Sequence, residues 1–95
     1  MKKNEHNIVV GIGVYLKEDY PEILDISIDR DKMEPTWEQW KAQKDLLKQR
    51  LKKEGILAKD IVVKPDAISR YCKVWKIPIN GESRAQYVQH LVSNL

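Results

Sequence analysis

Two glycines, Gly11 and Gly13, lie one residue apart in the apolar run IVVGIGVY, and closely spaced glycines can cradle the phosphates of a nucleotide. A dinucleotide-binding loop would need a third glycine where this chain has Leu16, and a helix that opens at the glycines themselves. A Walker loop would need a Gly-Lys-Ser/Thr triplet, which the sequence lacks. The apolar alternation continues through both glycines, so the pattern predicts a β-strand with one flat face that a bulky group or another backbone approaches closely.

Other residues that could catalyse a reaction or bind a metal are sparse. The two histidines, His6 and His90, are not at metal-ligand spacing with Cys72 or with an acidic pair. Cys72 shares a predicted helix side with apolar residues, which favours a buried thiol over a reactive one. The acidic residues between positions 25 and 34 lack the glycine and the terminal glutamate of a calcium loop. We therefore expect a protein that is not an enzyme and that holds no metal or cofactor.

Basic side chains are concentrated in the second half of the chain. Residues 1–40 carry nine acidic and five basic side chains, whereas residues 41–95 carry five acidic and twelve basic ones. This asymmetry is typical of two solvated faces, of complementary surfaces on two copies, or of a patch that binds nucleic acid through counterion release. In the nucleic-acid interpretation, the candidate phosphate contacts are Lys41, Lys48, Lys52, Arg70, Lys73 and Arg84.

The elements that must position these side chains can be predicted from periodicity and helix caps. Thr36 with Gln39 forms a capping box, Gly55 is a helix stop, and Asp19 with Pro21 indicates another helix start. The element order predicts a small α/β (α+β) fold with helices packed on a short sheet. The predicted elements are strand 7–16, a helix from position 19 to about position 28, helix 37–54, strand 59–64, helix 66–76 and helix 82–93.

Length and composition limit the organisation of the protein. Ninety-five residues with 42% hydrophobic and 33% charged side chains predict one globular domain, here 7–95, preceded by a flexible tail over 1–6. The lone Cys72 cannot form an internal disulfide, which favours a reducing compartment. No apolar run reaches the roughly 20 residues that a membrane span needs. We therefore expect a cytoplasmic protein that does not contact a membrane.

The predicted core and the predicted assembly both involve the first strand. Helix 37–54 has one stripe formed by Trp37, Trp40, Lys44, Leu47 and Leu51. We expect Trp37, Trp40 and Leu47 to be buried against the strand residues Ile8, Val10 and Ile12. A two-stranded sheet has little stability by itself, and a long exposed strand edge tends to pair with another chain. We therefore expect a homodimer, and an unidentified protein partner is a further possibility. The candidate interface residues are Val9, Gly11, Gly13, Tyr15, Trp37 and Trp40.

Four stretches of the sequence carry a resemblance to known proteins. The succession GIGVYLKEDYPEIL, ISIDRD and TWEQW, followed by YCKVWKIPINGESRAQYV, resembles a widespread group of short bacterial proteins of unknown function. The resemblance covers the chain from Ile8 to Val92 and implies a shared small α/β fold. Several members of that group are encoded among mobile-element genes, which implies an accessory role. The resemblance implies no catalytic residues, and the residues themselves favour a binding or interaction domain.

Overall fold

The computed structural model describes residues 8–93, and their order of strands and helices is the predicted one. The expected tail, including His6, lies outside the described residues. Within these residues the protein is a small α+β domain with a two-stranded sheet and four α-helices. The elements are β1 (Ile8–Val14), α1 (Tyr20–Ile26), α2 (Trp37–Lys53), β2 (Ile56–Val62), α3 (Pro65–Trp75) and α4 (Gly81–Ser93).

The two strands are parallel, and helices cover both faces of the sheet. Ile8 pairs with Ile56 at one end of the register, and Val14 pairs with Val62 at the other. Because side chains alternate along a strand, Gly11 and Gly13 share one face and Ile12 belongs to the opposite face. Helix α4 packs on the glycine face, and α2 packs on the other face. The sheet is therefore sandwiched between α2 and α4.

Local signals set the ends of α2. The Thr36 hydroxyl accepts a hydrogen bond from the Gln39 amide at 3.1 Å, which confirms the predicted cap. Gly55 follows the helix with φ of +77°, a left-handed conformation that favours glycine. Strand β2 begins directly after this turn, at Ile56, three residues before the predicted start. The charged pair Lys59 and Asp60 interrupts the apolar pattern of the strand. The sequence pattern therefore does not indicate that the strand begins at Ile56.

Asp19 occupies the predicted N-cap position of α1, but the capping hydrogen bond expected there is absent. Its carboxylate instead accepts a hydrogen bond from Lys64 Nζ at 2.7 Å, which ties the start of α1 to the segment after β2. The long-range ion pair thus replaces the local cap.

The main core lies on the glycine face of the sheet. It is built from buried residues of α1, α3, α4 and the segment after β2, namely Ile23, Val63, Ile68, Cys72 and Val88. Cys72 is 2% exposed, which confirms the expectation of a buried thiol. Trp75, the last residue of α3, is 58% exposed.

A second buried group forms around Trp40 on the opposite side. Trp40 and Ile12 are each 6% exposed, as expected, and the Trp40 ring lies 5.0 Å from the Tyr15 ring between centroids. Trp37 and Leu47 are half-buried. Ile8 is 54% exposed, so its predicted burial is wrong; this residue lies at the end of the strand register, where it pairs with Ile56.

The close approach expected at the two glycines comes from a helix of the same chain. A Cβ atom at Gly11 would overlap Val92 Cγ2 and lie 3.3 Å from Val88 Cγ1. A Cβ atom at Gly13 would lie 3.0 Å from Val88 Cγ2. Helix α4 therefore packs directly on the strand backbone, and the missing side chains make that contact possible.

Candidate functional site

A cleft with a volume of about 470 Å³ runs along the edge of β1 that β2 does not occupy. Its floor is the strand itself, its walls are formed by residues of α2 and α4, and the segment around Met33 also lines it. The volume falls in the range of about 300–1,000 Å³ that is usual for ligand sites. The residues at the centre of the floor and walls are Gly11, Ile12, Gly13, Tyr15, Trp40, Lys44, Leu47, Arg84, Ala85, Val88 and Gln89.

The direction of the backbone groups in β1 follows from two hydrogen bonds. The Val14 carbonyl accepts from the Val63 amide at 2.9 Å, so Val14 directs its polar groups toward β2. Because successive residues of a strand alternate in this respect, Gly11 and Gly13 direct their N–H and C=O groups to the other side, into the cleft. Consistent with this direction, the Tyr15 carbonyl accepts from Trp37 Nε1 at 2.8 Å. Among residues 8–93 the N–H and C=O groups of Gly11 and Gly13 have no hydrogen-bond partner, so in the described part of the chain the cleft exposes a strand edge with free donors and acceptors.

A buried ion pair anchors the wall formed by α4. The Arg84 guanidinium donates to both oxygens of the Asp29 carboxylate, at 3.0 and 2.9 Å, and to Ser27 Oγ at 2.9 Å. The hydrogen bonds from Arg84 lower the pKa of the Asp29 carboxyl. Asp29 also accepts from the Gly81 amide at the start of α4, at 2.9 Å. These contacts fix α4 against the segment after α1.

The wall formed by α2 carries a cation without a partner. Lys44 is half-buried in this wall, and it forms no ion pair or hydrogen bond with the other residues of the range 8–93. Burial lowers the pKa of the Lys44 amine. The lysines on either side of it are paired, Lys41 with Asp45 at 2.9 Å and Lys48 with Asp60 at 2.6 Å. Lys44 therefore presents to the cleft a positive charge that Glu34 attracts but does not pair with.

The two tyrosines beside Trp40 are neutral hydrogen-bonding groups. Burial raises the pKa of Tyr15, and the neighbouring Arg84 opposes that rise. Burial and the nearby Glu34 raise the pKa of Tyr20 to about 12. The Tyr20 hydroxyl donates to the Glu34 carbonyl at 2.6 Å. Both hydroxyls are thus protonated at neutral pH, and Tyr15 lines the cleft.

The structure does not bring the six candidate phosphate contacts together. Four of them are paired with carboxylates: Lys41, Lys48, Arg70 and Arg84. Arg84 is only 8% exposed. Lys52 and Lys73 are exposed, but α2 lies on one face of the sheet, whereas α3 packs with α1 and α4 on the other. These residues therefore do not form one continuous basic face.

Most of the candidate interface residues lie close together, unlike the candidate phosphate contacts. Four of them line the cleft: Gly11, Gly13, Tyr15 and Trp40. Val9 is 52% exposed near the end of the sheet, and half-buried Trp37 lies beside Tyr15. The prediction missed the role of Lys44, although its position in the apolar stripe of α2 was a usable signal. A charged residue in a stripe that faces the sheet indicates a cation directed toward the interior of the domain.

Comparisons of the chain with protein-family models, with curated proteins and with solved structures found no match. The resemblance to short bacterial proteins and the link to mobile elements therefore stay predictions. Within residues 8–93, no helix is both long and apolar enough to cross a bilayer. In the same part of the chain, no three histidine, cysteine or acidic side chains are grouped as metal ligands would be.

Proposed function

We propose that the protein is a non-enzymatic interaction domain that binds an extended segment of another polypeptide along the free edge of β1. The observation that carries this proposal is the cleft of about 470 Å³ whose floor is that edge. The backbone groups of Gly11 and Gly13 face the cleft, and unpaired backbone groups need hydrogen-bond partners when they are shielded from water. The cytoplasmic location predicted from the sequence belongs to the same proposal.

An added strand matches the dimensions of this site. The cleft follows β1 from Gly11 to Tyr15, which corresponds to roughly 13 Å at about 3.3 Å per residue. A segment of about four residues would therefore lie alongside β1 and pair with its backbone, as in other cases of β-strand addition. Such pairing gives affinity through the main chain, while the walls of the cleft select side chains.

The walls favour a single segment over the sheet of a second copy. Residues of α2 and α4 line the cleft beside the edge of β1, so a second sheet would bring its own helices against them. The homodimer expected from the sequence stays a prediction, and the surface that favours it is the outer edge of β2. Along β2, Leu57 and Val62 are 63% and 42% exposed, on opposite faces of the sheet. If this edge forms the dimer, Leu57→Glu should convert a dimer into a monomer in light scattering.

The proposal is tested by closing the cleft. Ala85 lies on α4, is exposed and lines the cleft, whereas its exposed neighbour Gln86 does not line it. Peptides selected from a displayed random library against the wild-type protein should lose binding to Ala85→Trp, because the indole fills the space above β1. The same peptides should bind Gln86→Trp with unchanged affinity. Equal binding to both variants would show that the peptides bind elsewhere, and failure to select any peptide would also contradict the proposal.

A further inference from the structure

A half-buried lysine of the cleft lacks an ion-pair partner within residues 8–93. Lys44 lies in the α2 wall, half-buried, without an ion pair among the described residues. We infer that the segment bound along β1 carries an aspartate or glutamate side chain that pairs with Lys44. This inference rests on the proposed function, and it adds the chemical class of the partner to it.

The charge balance of the cleft supports an acidic ligand. Asp29 is already engaged by Arg84 through two hydrogen bonds, so this pair contributes little net charge. The remaining charged residues of the lining are Lys32, Lys44 and Glu34, which sum to one positive charge. A partly buried positive charge attracts a carboxylate more strongly than an exposed one does, because water screens it less.

The position of Lys44 along α2 indicates where the acid lies in the segment. Helix α2 runs antiparallel to β1: Trp37, at its start, contacts the Tyr15 carbonyl beyond the end of β1. Further along the helix, Lys48 pairs with Asp60 of β2, which is level with Ile12. The side chains of a bound strand alternate between the two walls, so every second residue faces α2.

The neighbours of Lys44 define the flanking positions. Trp40 and Leu47 line the cleft on either side of Lys44, about 6 Å and about 4.5 Å away along the helix axis. Residues two apart in a strand are about 6.6 Å apart, which is close to this spacing. We therefore expect three alternate residues of the segment to face α2, with an acidic side chain in the middle and an apolar side chain on either side of it. The residues between them face Ala85 and Val88 of α4, where small side chains fit.

The state of the lysine is consistent with this assignment. Burial lowers the pKa of the Lys44 amine, and Glu34 only partly opposes that effect. Arg84 and Lys48 also lower it, through repulsion. A carboxylate placed beside the amine would favour its charged form. Binding of an acidic segment should therefore be accompanied by a rise in the pKa of Lys44.

The test uses synthetic peptides with acetylated and amidated ends, so that the side chain is the only carboxylate. Peptides selected from the random library should be enriched in glutamate or aspartate. Changing that acid to its amide should weaken binding to the wild-type protein by about tenfold, as expected for loss of a charged hydrogen bond. The same change should alter binding to Lys44→Met less than about twofold, because the partner charge is gone. Lys44→Arg should keep the preference, and Lys52→Met, an exposed control on the same helix, should behave as wild type.

The outcomes separate this inference from the proposed function. Peptides that lose binding to Ala85→Trp but show no acidic enrichment would overturn the inference and leave the cleft as a binding site. An equal effect of the acid-to-amide change on wild type and Lys44→Met would also overturn it. A requirement for a free peptide C-terminus instead of an acidic side chain would overturn it as well, because the carboxylate would then come from the chain end. Peptides that bind Ala85→Trp unchanged would overturn both proposals.

Discussion

The packing of α4 on β1 can be tested at Gly11, where the strand backbone meets the helix. In Gly11→Ala, the added methyl group would overlap Val92 Cγ2 and press on Val88 Cγ1, which lies 3.3 Å from the ideal Cβ position. Replacing a strand glycine with alanine usually stabilises a protein by about 0.4–1 kcal/mol when space is available. Overpacking of this kind costs about 1–3 kcal/mol. We therefore expect the free energy of unfolding to fall by about 1–2 kcal/mol.

A double-mutant cycle separates overpacking from other causes. Val92→Ala removes the methyl group that the new Cβ atom would overlap, and Val92 is only partly buried, so this change alone should cost about 1 kcal/mol. The double variant Gly11→Ala with Val92→Ala should be at least as stable as Val92→Ala alone, which gives a coupling energy of about 1 kcal/mol or more. Urea unfolding followed by tryptophan fluorescence measures all four proteins. A Gly11→Ala protein as stable as wild type, or strictly additive changes, would refute the close packing of α4.

The remaining predictions concern the core, the ion pair and nucleic acid. Trp40→Ala should lower the free energy of unfolding by about 3–5 kcal/mol in urea titrations, because it empties a buried ring position. Asp29→Asn should cost about 1.5–3 kcal/mol at neutral pH, since it removes the charged partner of buried Arg84. Because the folded pKa of Asp29 is lowered, its stabilisation is present above its unfolded pKa of about 3.9 and is lost as the pH falls through the folded pKa. The unfolding free energy of Asp29→Asn should consequently fall less on acidification than that of wild type. If nucleic acid binds, retention on a duplex should decrease steeply with salt, and joint reversal of Lys48 and Lys52 should weaken it for all sequences; no retention at low salt would remove this alternative.

The sequence predicts those features that depend on neighbouring residues. The start of α2 at Thr36 and its end before Gly55 follow from local caps, and both are observed. The flat strand face also depends only on neighbouring residues, since Gly11 and Gly13 occupy alternate positions of one strand. The sequence therefore predicts it. That α4 fills this face depends on residues about 75 positions away, which no local pattern identifies.

Long-range ion pairs explain the main differences in the candidate site. In the sequence, Arg84 resembles an ordinary surface cation. Its partner Asp29 lies 55 residues earlier, so no local pattern indicates the pair. Asp19 similarly pairs with Lys64, 45 residues later, and its side chain makes no capping hydrogen bond. Lys44 is different, because its place in an apolar stripe made its inward position predictable. Only the folded chain shows that it has no carboxylate partner among residues 8–93.

The most direct test of strand addition is to observe the two glycine amides of β1 during peptide binding. Backbone N–H signals of Gly11 and Gly13 should move downfield as a selected peptide is added, and their hydrogen exchange should slow, because both groups gain a partner in the cleft. Gly55, in the turn before β2, should be unaffected and serves as an internal control. Saturable peptide binding with unchanged signals and unchanged exchange at Gly11 and Gly13 would contradict binding along the free edge of β1.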